Sequence, residues 1–249
     1  MQQAYEQTYH RFESGHWWFL GRRHILRALV AQEGVDRQSR ILEIGCSAGL
    51  LMKELQADGF GQVKGIDISP DAIALCRSAG LDAFLMDAQK VELPGETFDI
   101  IIASDVLEHL ADEDEAVQYW KRLLKPGGLL VIFVPAFMLL WGHHDEANKH
   151  HRRYRRQQLV KLLVSSGFKI ERSSYWNSLL FGPVAAIRLL RRAWPDQAAP
   201  NGQGDLSEPP AVVNRLLASL LKLENLVLRL GINWPFGASV LALARKPAE

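Results

Sequence analysis

Cysteine is scarce in this chain: Cys46 and Cys76 are the two in 249 residues, and they stand in unrelated local contexts. That excludes a disulfide framework and a paired-thiolate metal knuckle. Long apolar runs are also missing. The nearest, residues 179–190, is interrupted by Arg188 and falls short of the roughly 18 apolar residues that a membrane span requires. Charge of one sign is lacking too. With a formal net charge of +1, nothing draws the whole chain toward nucleic acid or an anionic surface. The opening residues show no basic-then-apolar targeting pattern, and no internal repeat is visible. The expectation is a cytoplasmic protein with no nucleic-acid partner. An apolar share of 48% and a charged share of 23% suit one globular domain with a single large core.

What the chain does have is alternation. Residues 16–32 place Trp17, Trp18, Leu20, Ile25, Leu26, Leu29 and Val30 on one helical face. ILEIG is a short apolar strand, followed by helical spacing through Leu55, and QVKGID is a second strand. Ser69 then caps a helix that has Pro70 at its first position. LDAFLMD and FDIIIASD are a third and a fourth strand, the latter a continuous apolar run of the kind covered on both faces. A helix from about 114 to 124 stops at Lys125-Pro126-Gly127-Gly128, before a fifth strand, LLVIFVP. A helix over 156–166, a strand near 168–176 and a last strand over 239–245 follow. Alternation of this kind predicts an α/β fold with a parallel, doubly wound sheet. The expected layout is a helical cap (1–35), a core (36–176), a helical insertion or lid (177–238) and the last strand (239–249). Within the insertion, residues 195–210 read as a mobile loop.

The turn after the first strand is ambiguous. Gly45-Cys46-Ser47-Ala48-Gly49 fits G-x-S-x-G, the elbow of a nucleophilic serine. It also fits a glycine-rich turn that opens a helix beneath a nucleotide-like cofactor. The elbow requires several strands and an oxyanion loop upstream, and only helical sequence precedes residue 40. The dinucleotide spacing fails as well, because Ser47 and Leu50 stand where its second and third glycines belong. What remains is a loop with glycine at each end and small residues between, preceded by Glu43 on the strand. Ser47 is read as a spacer. Asp67 lies 18 residues beyond Gly49 at the end of the second strand, where a carboxylate can accept ribose hydroxyls. Asp87 ends the third strand, placed for an adenine amino group or simply for a turn.

LEIGCSAG, GIDISPDAI, MDAQKVELPGETFDIIIASDVLEHL and LKPGGLLVIFVP, in this order and spacing across residues 41–135, resemble the class I S-adenosylmethionine-dependent methyltransferases. The likeness is to the bacterial group that includes small-molecule and quinone methyltransferases. HWWFLGRR, HDEANKHHRRY and WPFGAS look like one subgroup of it. The resemblance implies a Rossmann-like, mostly parallel seven-stranded sheet and S-adenosylmethionine as cofactor. It also implies contacts. Glu43, Gly45, Cys46 and Gly49 would surround the methionine part, Asp67 and Ile68 the ribose and adenine face, and Asp87 with Ala88 the adenine. Ser104 and Asp105 would border the methionine end. Ser47 departs from the family, which more often has glycine there.

Outside those motifs, HHDEANKHHRRYRR gathers His143, His144, Asp145, His150 and His151. Imidazole and carboxylate can ligate metal, but the spacing matches no known site and five basic neighbours would repel a cation, so no metal is expected. The same stretch suits an acceptor site. His144 or His150, or His109 from LEHL, is a candidate base for an acceptor that must lose a proton, with Trp18, Arg153 and Tyr154 on the acceptor side. A solvated basic face is the bland alternative. The histidines favour an oxygen acceptor; N- or C-methylation of a soluble metabolite, or a cofactor-binding protein without turnover, stays open. Leu216, Leu220, Leu223, Val227 and Leu230 repeat at 4,3,4,3 spacing, while Arg215, Lys222 and Arg229 make a seven-residue ridge on the other side. That face is either packed on its own domain or a second copy, or turned toward a lipid-linked acceptor or the inner membrane surface. Partners expected on this reading are a small or lipid-linked acceptor, a peripheral membrane contact through 177–238, and a homodimer partner.

Overall fold

The computed structural model describes residues 11–33, 36–193 and 209–248. Its helices and strands, in chain order, are α1 (Trp17–Gln32), β1 (Arg40–Ile44), α2 (Leu50–Ala57), β2 (Gln62–Asp67), α3 (Pro70–Ser78), β3 (Asp82–Leu85) and β4 (Phe98–Ser104). They continue with α4 (Glu113–Leu123), β5 (Leu124–Pro135), α5 (His143–Ala147), α6 (Arg156–Ser165), β6 (Lys169–Trp176), α7 (Phe181–Ala193), α8 (Ala211–Arg229) and β7 (Ser239–Arg245). Seven strands form one sheet in the order β3-β2-β1-β4-β5-β7-β6. The first five run parallel, and β7 enters antiparallel between β5 and β6. This is the expected mostly parallel α/β architecture. The chain direction reverses around β1, so the loops after β1, β2, β3 and β4 gather at one edge, where open sheets of this kind bind ligands.

Both faces of the sheet are covered, which explains the unbroken apolar strands. On β4, Ile101 and Ala103 point to a layer containing Trp120, Leu159 and Leu163 of α4 and α6. Ile100 and Ile102 point the other way, toward Ile25, Leu29, Met52 and Leu221 of α1, α2 and α8. The period of two on the strand sorts one apolar run into two cores. Helix starts follow their capping chemistry: Ser69 Oγ accepts the Ala72 amide at 3.2 Å, and Asp112 accepts the Glu115 amide at 2.9 Å.

One expectation needs correction, and one open alternative is narrowed. The Lys125-Pro126-Gly127-Gly128 stretch lies within β5 instead of ending α4, because Leu124 pairs with Phe98 and Gly127 and Gly128 exchange backbone hydrogen bonds with Lys246. Tertiary pairing outweighs the turn composition there. The narrowed alternative concerns the apolar face of α8. Its packed side is Ala218, Leu221, Glu224, Asn225 and Leu228, whereas Leu216 (60% exposed), Leu223 (55%) and Leu230 (71%) of the predicted apolar face look outward. The helix is anchored by polar groups that periodicity assigns to solvent. Glu224 accepts the amides of Ser178 and Leu179 at 2.9–3.1 Å. Asn225 accepts Trp176 Nε1 at 2.8 Å and donates to the Gly21 carbonyl at 2.9 Å. Gly21 permits the close approach, since a Cβ there would stand 2.5 Å from Leu221 Cδ1.

The expected mobile loop at 195–210 falls mostly outside the described residues. Among those described, no helix is long and apolar enough to cross a membrane. Asn225→Ala should unpair two buried groups and lower unfolding stability by about 2 kcal/mol or more. Denaturant titration with an unchanged m value and a lowered midpoint is the expected result.

Candidate active site

The loop after β1 is built from alternating left-handed residues: Gly45 (φ +72), Ser47 (φ +47) and Gly49 (φ +72). Glycine at 45 is required twice over, because a Cβ there would also sit 2.5 Å from Val106 Cγ2. The loop is held from β2. Asp67 Oδ2 accepts the Ser47 amide and Oδ1 accepts the Ser69 amide, both at 2.9 Å, so one carboxylate fixes the turns after two strands. Ser47 Oγ and the Glu13 carboxylate are 3.0 Å apart. Ser47 Oγ therefore donates to a carboxylate, where a hydrolase elbow would present a histidine.

A cavity of about 1110 Å³ opens at this edge. Gly45, Asp67, Ile68, Asp87 and Ala88 line one end, and Ser104, Asp105, His109, His144, His150 and Arg153 the other, with Trp18 between the cap and the sheet. Single-ligand pockets typically run to about 1,000 Å³, so the space suits two ligands side by side. Asp87 also accepts the Gln89 amide at 2.8 Å, so the turn role and the cavity position coexist. Four expected contacts stand elsewhere. Glu43, Cys46, Gly49 and Tyr154 do not line the cavity. Burial, and then the nearby Glu13 carboxylate, push the Glu43 carboxyl well above the usual range, and its Oε2 is buried without a hydrogen-bond partner. Cys46 packs against Cys76, its thiol pushed up by that contact and by burial, so the two cysteines are neighbours after all. Gly49 faces Leu81 and Cys76 as the first cap of α2. The Tyr154 hydroxyl is turned toward Glu113, and burial followed by that hydrogen bond raises its pKa.

Arg22 is the residue that periodicity hid. It lies on the buried side of α1, 4% exposed, with its guanidinium 4.2 Å from the Phe133 ring centroid and 4.4 Å from that of Trp176. It donates to Asp105 Oδ2 at 2.8 Å, Ser104 Oγ at 3.1 Å and Ser239 Oγ at 2.8 Å. Asp105 itself adopts a left-handed backbone (φ +57), a conformation costly for a non-glycine residue. The quoted HWWFLGRR held the signal, but helix spacing alone assigns an arginine to solvent.

The histidine-arginine stretch is not a solvated face. Arg153 is 6% exposed and grips Asp145 with Nε at 2.7 Å and Nη2 at 3.0 Å. Asp145 also accepts the Gly142 amide at 2.8 Å and stands 2.8 Å from His150 Nδ1. Burial alone would raise the Asp145 pKa, but the hydrogen bonds and charges of His150 and Arg153 outweigh it and hold the carboxyl below its ordinary range. An ionised Asp145 can only accept, so Nδ1 of His150 donates to it and Nε2 is the ring nitrogen left to face the cavity. His109 and His144 flank this ring, at centroid distances of 4.5 and 5.8 Å. Burial pushes both down to about 3, with His150 the next contributor for His109 and Arg188 for His144. Such weakly basic rings shape the site better than they take protons.

Glu108, His109 and His150 bring three ligand atoms within 4.8 Å of one another, a donor set chemically able to hold a divalent ion. The grouping joins residues some forty positions apart, which spacing within the histidine stretch could not reveal. Both Glu108 oxygens are buried without hydrogen-bond partners, and burial followed by Asp105 raises this carboxyl well above the usual range. For the loop, Ser47→Gly relieves a left-handed strain of about 1 kcal/mol while giving up one hydrogen bond. The variant should melt within a few degrees of the parent and retain turnover. A loss beyond about a hundredfold would mark Ser47 as a chemical participant.

A family model described as a methyltransferase domain matches residues 9–173. A ubiquinone biosynthesis O-methyltransferase of Sinorhizobium fredii is 28% identical over 169 residues, 59% of this chain and 65% of its own length. One of the same description from Chelativorans sp. is 36% identical over 99 residues, 37% of this chain and 39% of its own. The chain thus spans less than two thirds of the length of these curated relatives. Among solved structures, the N-methyltransferase NodS from Bradyrhizobium japonicum, in complex with S-adenosyl-L-homocysteine, has a TM-score of 0.56 at 17% identity, covering 95% of this chain and 91% of its own. The [4+2]-cyclase SpnF has a TM-score of 0.59 at 24% identity, covering 90% and 81%. These two likenesses speak to the fold, which hosts more than one chemistry. The family match covers most of the chain in the expected strand order, and the protein belongs to the methyltransferase domain family.

Proposed function

We propose that this chain transfers the methyl group of S-adenosylmethionine to a hydroxyl oxygen of an apolar, lipid-linked or glycosylated small molecule. The observation that carries the reading is the Arg153–Asp145–His150 chain opening into the same cavity as Asp67 and Asp87. The Gly45 turn and the two strand-end carboxylates fit an adenosyl group: the turn admits backbone close to a ligand, and each carboxylate oxygen keeps acceptor capacity beyond its amide bond. Asp67 and Ile68 would take the ribose side, and Asp87 with Ala88 the adenine. When bound, the sulfonium compound supplies an already activated methyl group, so the chain has chiefly to position, desolvate and deprotonate the acceptor.

His150 is suited to that last task. Its Nδ1–H is committed to Asp145, and its free nitrogen can receive the hydroxyl proton as the oxygen attacks. Arg153 acts through Asp145 as a positioning residue, and Asp145 acts through His150. The acceptor end is walled by Trp18 and by Val184 and Ile187 of α7. Ile187 is 51% exposed, and Met138 and Leu139, beside α7, are 53% and 58% exposed. Arg188 ties α7 to this segment through the Leu140 carbonyl at 2.5 Å. An apolar mouth of this kind favours an acceptor with a hydrocarbon part. The curated relatives named for ubiquinone biosynthesis point the same way.

Two measurements test the reading. Asp67→Ala should weaken S-adenosylhomocysteine binding in calorimetry by about 1.5–3 kcal/mol, the worth of hydrogen bonds to a charged group. Unchanged affinity would move the cofactor elsewhere. His150→Gln should lower kcat for a hydroxylated acceptor about 10²–10⁴-fold with cofactor affinity preserved, and Asp145→Asn should follow with a smaller loss. Undiminished turnover in His150→Gln would remove the base from the reaction.

A further inference from the structure

Helix α8 presents to solvent the side that lies opposite its packed side. At 100° per residue, the packed positions Leu221, Asn225 and Leu228 centre on one direction, and Val212, Leu216, Leu223 and Leu230 on the reverse. Those four are 76%, 60%, 55% and 71% exposed. Leu226 is a further 48% exposed beside them. A helix that meets only its own domain and water would carry polar residues there. Along one flank of the stripe run Arg215, Lys222 and Arg229, all exposed and spaced by seven. Among the described residues, no carboxylate is paired with them. From 211 to 238 the single acid is Glu224, which is fully buried against the Ser178 and Leu179 amides. The neighbouring helix α1 adds no exposed acid to this flank at His24, whose pKa is lowered by burial first and then by Lys222, Arg229 and Arg27.

We propose that α8 is a docking face for an anionic lipid surface, with the Val212–Leu230 stripe entering the headgroup boundary and the Arg215, Lys222 and Arg229 row meeting lipid phosphates. Charge selects this occupant. A second copy packed stripe to stripe and antiparallel, about a two-fold axis perpendicular to the helix, would bring Lys222 against Lys222 and Arg215 near Arg229, three like-charged meetings without an acid of α8 between them. An anionic bilayer gives each of those cations a partner, and an amphipathic helix of 19 residues can lie in its plane at shallow depth. The polar anchors Glu224 and Asn225 have a consequence here: they hold the helix to the domain, so that its apolar side is spared from the core. The inference is independent of methyl transfer, because docking needs neither cofactor nor acceptor.

The experiment is co-sedimentation of the full chain with vesicles of phosphatidylcholine containing 30 mol% phosphatidylglycerol, against vesicles of phosphatidylcholine alone, at low and high salt. Expected is partition to the anionic vesicles that falls with salt. Arg215→Gln with Lys222→Gln and Arg229→Gln should weaken it about a hundredfold, at roughly fivefold per cation. Leu216→Ser with Leu223→Ser should abolish it at equal net charge. All five positions are exposed, so unaltered thermal melts are expected for both variants. Failure of the parent chain to bind anionic vesicles at low salt would overturn the proposal. So would a parent dimer, seen by analytical ultracentrifugation, that the serine pair dissociates while vesicle binding is absent. If the serine pair unfolds the chain, the cation triple variant still decides: binding that is unchanged by it and unaffected by salt overturns the electrostatic docking.

Discussion

One buried guanidinium joins the outer helix to the working edge of the sheet. Removing an arginine from water is costly unless a countercharge and hydrogen bonds replace its hydration. Here Asp105 supplies the countercharge at 2.8 Å, Ser104 and Ser239 supply hydroxyls, and Phe133 and Trp176 supply ring faces. These partners come from the turn after β4, from β5, from the end of β6 and from the start of β7. Arg22 therefore registers α1 against four separate strands at once. The left-handed Asp105 backbone is kept in place by the same contact, and with it the cavity floor between the two ends of the site.

A second buried charge organises the other end. Asp145 sits at 0% exposure between Arg153, His150 and the Gly142 amide, with Arg188 of α7 at 3.8 Å. The short helix α5 thus depends on a long loop arginine, and α7 is drawn toward the same carboxylate. Each of the two anions is matched by a buried arginine, and each bordering side chain is oriented by that pairing. The proposed division of labour follows from this electrostatic layout: strand-end carboxylates at one end, and an imidazole backed by an ionised acid at the other.

The glycine loop, the strand-end Asp67 and Asp87, and the parallel order were legible in the sequence because each rests on local rules. A left-handed turn selects glycine, a cap selects serine, and a doubly covered strand is apolar throughout. Glu43 and Cys46 are expected at the cofactor from the family motif, and Tyr154 at the acceptor from the histidine-arginine stretch, but none of the three lines the cavity. Arg22 and Glu224 were invisible for the opposite reason. Charged residues on a helix are read as solvent-facing, and only the partner elements decide that these two are interior. The apolar stripe of α8 is legible in the sequence as a stripe, but the sequence leaves its direction open between the core and the surface.

Taken alone, the sequence determined the α/β alternation, the cofactor-type loop and the family, since these depend on nearest neighbours in the chain and on periods of two and 3.6. The tertiary structure alone decided which of three histidines is backed by an acid. His109, His144 and His150 are alike as residues, and they differ in whether burial or Asp145 governs their ring nitrogens. It also decided which way α8 turns, because Glu224 and Asn225 find their hydrogen-bond partners 45–50 residues upstream and, for Gly21, across 204. Pairings at such separations follow from the sum of many contacts, and no local pattern encodes them.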